Sequence, residues 1–403
     1  MGDDTRARAS SKAPSVRKDK VTLRVLGTSV SLLEVIRKRA ESDLGIRLEY
    51  IVHDSTTAQQ MATLQPGAFD LYDQWFHNID LTWATRSIQP IELNRIELWE
   101  EINDLPKLGR LSPEAPVAKG GNPAHRLYVQ TNGELGVDPT ARISMLPTVH
   151  NADSFAYLLP RSQPEPLSWS ALLDDEYMGA IALQSDPAIG ALDAALAVQA
   201  ANLCKFDDLG NLTVDEIDLL VDHLIRLKKA GRFKHFWATE AEAAELLTSG
   251  AANISSMWWQ GFVRLRRQGV PVRMATPREG YRGWYGGLAL SNCLKGRERD
   301  AAYEYLNWWL SGFAGAMMAR NGAYMSNPQS VREHLELAEW DYWYEGKPAT
   351  QDLCDPYGEV IVREGESHEG GSYDTRMNRI IIWDSVMDEH NYLVRRWMDV
   401  LKK

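Results

Sequence analysis

Residues 21–52 constrain the fold of this chain more than any other stretch. Val21 to Leu26 reads as a strand. Val30 to Ser42 then places Leu32, Leu33, Val35, Ile36 and Ala40 on one helical face, Gly45 stops the helix, and Ile46 to Val52 reads as a second strand. Two sequential strands joined through a helix pair in parallel, because an antiparallel pair needs only a short turn. A helix from about Thr56 to Leu64 and a strand at Phe69 to Leu71 repeat the rhythm and predict a three-layer α/β lobe.

Farther on, Pro113, Pro116, Gly120, Gly121, Pro123, Gly133, Gly136 and Pro139 make residues 112–142 a surface excursion. Regular structure returns over Ile143 to Leu159, and Pro160, Pro164 and Pro166 predict a link where the chain crosses to a second lobe. There, Thr213 and Glu216 have capping-box spacing ahead of Ile217, Leu220, Val221 and Leu224, with Gly231 closing the helix. Arg299 to Leu310 reads as a helix, Asn321 to Pro328 as a turn, and Asp341 to Gly371 as an acidic, aromatic elaboration. Asn378 to Leu401 reads as a closing amphipathic helix.

Composition excludes several functions. With 55 acidic against 44 basic side chains, a net charge of −11 and no long basic tract, the chain has no footprint for a phosphate backbone, so no nucleic-acid partner is expected. No apolar run approaches the roughly 18 residues of a membrane helix. Met1 to Lys20 is polar, basic and Ser-rich, and reads as a disordered leader without a visible signal peptide. Cys204, Cys293 and Cys354 lack zinc spacing; one disulfide with a spare thiol, or three reduced thiols, both remain open. There is no GxGxxG after a strand, no GxxxxGK, no GxSxG and no HExxH, and His368-Glu369 lacks a second histidine. The sequence therefore leads us to expect no catalytic residue, metal or cofactor.

What stands out is 14 Trp and 15 Tyr, since such rings fill cores or build cages for cations and sugars. Several cluster with polar residues at predicted strand ends: Asp73 to His77, His150 to Asp153, Trp258-Trp259-Gln260 and Trp284-Tyr285. In open α/β sheets ligands bind beyond those ends.

In order and spacing, Gly45 to Ile51, Gly67 to Leu71, Leu167 to Gly179, Ser249 to Gly261 and Asn321 to Asn327 resemble the periplasmic solute-binding proteins of ATP-driven importers, of the spermidine/putrescine-binding type. The resemblance implies a two-lobed α/β periplasmic-binding-protein fold of type II character, with the ligand cleft between lobes. Lobe 1 would hold 21–152 plus 287–326, and lobe 2 would hold 153–286 plus 327–403. It further implies a monomer that closes on a small organic solute and docks on a membrane permease in the periplasm. Carried over by position, Thr28 and Ser29 fall in the first strand-to-helix loop, Asp73, Trp75 and His77 in the third-strand loop, and His150 and Asp153 near the crossing. Asp186 supplies a second-lobe carboxylate, and Trp259, Trp284, Tyr285 and Tyr324 supply rings.

Two positions depart from that pattern: Ile189 and Gly286 stand where carboxylates are expected, so a multiply charged polyamine would be poorly neutralised. A ligand with one cation, a betaine or a zwitterion fits better. For a zwitterion, the helix start after Ser29 and Arg278 or Arg282 would face the carboxylate. The alternatives are an enzyme using His77, His150 and Asp153 in the same cleft, and a cytosolic ligand sensor.

Overall fold

The computed structural model describes residues 20–160 and 165–402. Apart from Lys20, the expected leader lies outside them. The strand–helix–strand unit is present as β1 (Thr22–Gly27), a helix Glu34–Leu44 and β2 (Arg47–Val52), with Val25 opposite Tyr50 in parallel register. Gly45 ends the helix in the left-handed region at φ 67°, its N–H returning to the Glu41 carbonyl. After the helix Ser55–Leu64, Pro66–Ala68 forms a short 3-10 turn, which moves the third strand later than expected, to β3 (Leu71–Trp75).

Two long strands organise the rest: β4 (Leu146–Leu158) and, after β5 (Ile181–Gln184), β6 (Phe233–Trp237), β7 (Ile254–Met257) and β8 (Val272–Met274), the strand β9 (Tyr281–Ser291). The last strand, β10 (Ile380–Trp383), runs parallel to β9. The sheet order is β6-β5-β7-β4-β9-β3-β1-β2. Thus β4 and β9, paired antiparallel with Arg282 opposite Asp153, join a parallel β3-β1-β2 half to a parallel β6-β5-β7 half. The chain crosses between halves inside these strands, ahead of the expected proline-rich link, of which residues 161–164 lie outside the described residues.

The apolar cores divide along the same line. One contains Leu23, Leu48, Leu71, Val149 and Ala152 with Leu288 and Leu306; across the line a second begins at Phe155 and adds Leu183, Leu192, Leu220 and Trp397, and a third gathers Ala156, Trp237, Met257, Trp259 and Leu265 in the same half. The helix after Thr213 has both halves of its capping box and buries Ile217, Leu220, Val221 and Leu224 in the second core. Two expectations change. Residues 378–401 are not one helix: Ile380–Trp383 adds a strand beside β9, and only His390–Lys402 is helical. Residues 327–377, expected in the second lobe, bury Val331, Tyr342, Trp343, Ile361 and Tyr373 in the first core. All three cysteines are free.

Candidate ligand-binding cleft

Between the two cores lies a narrow crevice of about 20 Å³ lined by Val30, Trp75, Ile189, Trp258, Gln260, Trp284 and Asp384. Each residue comes from the end or crossing of an element. Val30 follows β1, Trp75 ends β3, Ile189 precedes the helix Gly190–Ala200, and Trp258 and Gln260 follow β7. Trp284 sits mid-β9 and Asp384 follows β10. Loops beyond parallel strands converge here because the strands' carboxyl ends point to the gap between halves. The Trp75 and Trp284 rings meet edge to face, centroids 5.0 Å apart at 72°. Gly286, opposite Trp75 across the ladder, makes room for that ring: a Cβ there would stand 3.2 Å from it.

Charge at the cleft is organised by one buried arginine. Arg282, fully buried on β9, gives Nε to Asp193 Oδ1 at 2.7 Å and Nη1 to Asp384 Oδ1 at 2.6 Å. Asp153, facing Arg282 across the ladder, accepts from Trp284 Nε1 at 2.7 Å, which fixes the indole's orientation. Burial outweighs the shared guanidinium, so the carboxyls of Asp153 and Asp384 are each pushed up to about 7 and that of Asp193 is raised. Asp73, bonded to the Ser31 hydroxyl, is likewise pushed up to about 7 by burial. Gln260 Nε2 has no partner among the described residues, an orphan donor beside the cleft.

The cleft is narrow because the halves touch at its rims. Ser29 Oγ donates to Glu240 Oε1 at 3.1 Å from the opposite half. The excursion loop meets the second half at Gly120, where a Cβ would lie 2.4 Å from the Gly210 carbonyl carbon, and Gly121 abuts the Asp384 carbonyl.

Of the residues singled out from sequence, Trp75 and Trp284 line the space, and Thr28 and Ser29 occupy the loop beside Val30. The others do not line it. Asp186 caps its own turn through the Ala188 N–H at 2.8 Å. His77 is buried, and desolvation with the nearby Arg126 holds its ring down to about 3. His150 bonds Tyr373 through Nε2 at 2.8 Å and stacks on Tyr285 at 4.7 Å, and burial holds it also down to about 3. Tyr285 bonds Ser326 at 2.7 Å and Tyr324 donates to the Trp343 carbonyl at 2.9 Å. Trp259 stacks on His368 at 4.8 Å under the Arg376 guanidinium. These rings form a second cluster behind the crossing strands. Side chains alternate along a strand, so Tyr285 faces away from Trp284. In the tryptophan pair, Trp258 faces the cleft, and its neighbour starts the helix Trp259–Arg267 with its ring in the core. None of His77, His150 and Asp153, the residues of the catalytic alternative, is among those lining this space.

Sequence reasoning missed Val30, Trp258, Gln260 and Asp384. The adjacent Trp258 and Gln260 were flagged as a cluster but the ring was assigned to the wrong neighbour. Asp384 was hidden because Asn378 to Leu401 reads as one amphipathic helix.

A sequence model of bacterial extracellular solute-binding proteins matches residues 40–343. The chain belongs to that family. Among curated proteins none matches it by sequence. Solved structures share its fold at low identity. A putative spermidine/putrescine ABC transporter from Listeria monocytogenes is 13% identical, with 94% of this chain and 99% of that one covered and a TM-score of 0.66. The spermidine/putrescine ABC transporter substrate-binding protein of Streptococcus pneumoniae is 14% identical, covering 95% and 100%, with a TM-score of 0.63. A binding protein of A. tumefaciens in complex with glucopine is 13% identical, covering 94% and 99%, with a TM-score of 0.58. In this solute-binding protein the two positions where carboxylates were expected carry no charge: Ile189 lines the cleft with an apolar side chain, and Gly286 lies under the Trp75 ring.

Proposed function

We propose that this chain is the receptor of an ATP-driven importer, acting in the periplasm: it closes its lobes on a small amine-containing organic solute and presents the closed form to a membrane permease. The observation that carries the reading is the lining of the interlobe space by three tryptophans and one carboxylate. Ring faces and a carboxylate together favour an ammonium group with an apolar body; an indole face contributes roughly 0.5–2 kcal/mol toward a cation. Relatives in fold include spermidine/putrescine transport components and a glucopine complex, so nitrogen-bearing solutes are within reach of this architecture.

Calorimetric titration with alkylammonium ions, betaines, amino acids and polyamines tests the reading. At least one amine is expected to saturate the protein at a single site. Trp284→Ala is expected to weaken it by about 1–2 kcal/mol through loss of the ring face. Absence of saturable binding by every amine, or tight binding of a neutral sugar instead, overturns it.

A further inference from the structure

We infer that the cleft selects an organic cation with a single positive charge, and that Asp384 is the counter-ion it meets. The inference rests on the proposed function and narrows its ligand class. Among the described residues lining the space, Asp384 is the one charged group; the rest are three indoles, an amide and two aliphatic side chains. A buried ammonium needs a charge partner, and one carboxylate supplies one.

Asp384 is held for this task from behind. Its Oδ1 is fixed by Arg282 Nη1 at 2.6 Å, and Arg282 in turn is held by Asp193 at its Nε. Asp193 and Asp153 also face that guanidinium, and Arg376 acts on Asp153 from behind the strands. Burial disfavours the ionised form of these acids, and a cation in the cleft favours it at Asp384, the one that lines the space. Asp153 adds a second effect: accepting the Trp284 N–H at 2.7 Å draws electron density into that ring, which deepens the attraction of its face for a cation.

The same lining turns other charges away. A diamine's second ammonium would lie against Ile189 or the indoles with no carboxylate to meet it, leaving a buried unpaired charge. A ligand carboxylate finds no basic side chain among the described lining residues. Arg278 is exposed and paired with Glu279, and Arg282 gives Nε and Nη1 to two acids behind the lining; its Nη2 has no partner among the described residues and is closed off from solvent.

The test compares n-butylammonium, 1,4-diaminobutane and 4-aminobutyrate, which share a four-carbon body and differ in charge, by calorimetry on the whole chain. The monocation is expected to bind at least tenfold tighter than either of the others. Asp384→Asn keeps an oxygen for Arg282 and is expected to cost the monocation tenfold or more. Ile189→Asp adds the missing carboxylate and is expected to bring 1,4-diaminobutane level with or above the monocation. Equal or tighter diamine binding by the unaltered protein, or unchanged monocation affinity in folded Asp384→Asn, overturns the inference. Should Asp384→Asn fail to fold, Ile189→Asp decides, and an unshifted preference overturns the inference. Failure of every amine to bind would instead refute the proposed function itself.

Discussion

Gly210→Ala tests the proposed lobe closure separately from the rest of folding. Gly120 and Gly210 belong to different halves, yet a Cβ on Gly210 would stand 2.8 Å from the Gly120 Cα and 2.9 Å from its carbonyl carbon, about half an ångström inside ordinary contact. Both partners are backbone, so no side chain can swing away. Neither glycine has a positive φ, so alanine brings no backbone strain and in isolation would stabilise the chain slightly. The overlap exists only when the halves meet. Overpacking of this size costs about 1–3 kcal/mol, and here the cost falls on the closed form alone. Amine affinity should therefore fall by about 5- to 100-fold, while the melting temperature of the ligand-free protein stays the same or rises. Calorimetry gives the affinity, and small-angle scattering with saturating amine should show a larger radius of gyration than for the unaltered protein. Affinity within twofold of the unaltered protein, with full compaction, would refute the reasoning that this contact gates closure.

Two further outcomes separate cleft from core. Trp258→Ala should weaken amine binding with little change in melting temperature, whereas Trp259→Ala, which removes a buried ring packed on His368 and Arg376, should lower unfolding stability by about 3–5 kcal/mol; thermal melts and titrations on both variants would expose a reversed pattern. Binding of tetramethylammonium, whose own charge does not titrate, should weaken as pH falls below about 7. Burial raises Asp384, Asp153 and Asp193 around Arg282, the cation favours their ionised forms, and so binding expels a proton that low pH restores. Nearby Asp186 is raised by burial in the same sense, while burial lowers His390 and holds His77 down to about 3. Titrations from pH 5.5 to 8.5 check this, and a flat profile contradicts it.

The parallel half-sheet was legible because its cause is local: apolar period, a glycine stop and a second β run stand within 32 residues. The capping box at Thr213 was legible for the same reason. The crossing was not, because nothing local distinguishes a strand that leaves one core for another. Pro160 and Pro166 look like the stronger break, although the change of core falls between Ala152 and Phe155. At the site, Trp75 and Trp284 could be placed from strand ends, but Trp258 and Trp259 are neighbours in sequence and differ only in where the helix begins, which no spacing rule sets to one residue. Asp384 was lost with its strand: Ile380 to Trp383 is apolar throughout, and a short apolar run does not by itself choose between strand and helix.

The polar residues at the crossing also bear on the proposed lobe closure. Along β4 the first core ends at Ala152 and the second starts at Phe155, so Asp153 and Ser154 stand in the gap, both fully buried. Buried polar groups of this kind are held by hydrogen bonds, although Asp153 Oδ1 has no partner among the described residues. Ser154 donates to the Ala275 carbonyl at 2.7 Å, and Asp153 takes the Trp284 N–H. Behind the strands, Arg376 donates to Asn151 Oδ1 at 2.9 Å and to the Ala152 carbonyl at 2.8 Å; Arg282 ties β9 to Asp193 and Asp384. Where the chain bends between lobes, directional hydrogen bonds thus replace packed hydrocarbon. Rotation about such a seam need not open a cavity in either core, which would carry the penalty of lost dispersion contacts. It re-aims a few polar groups, and Asp384, which lines the cleft, is the one the proposed cationic solute would draw into a fixed arrangement. Under the proposed function, ligand recognition and hinge geometry therefore rest on the same buried charge cluster.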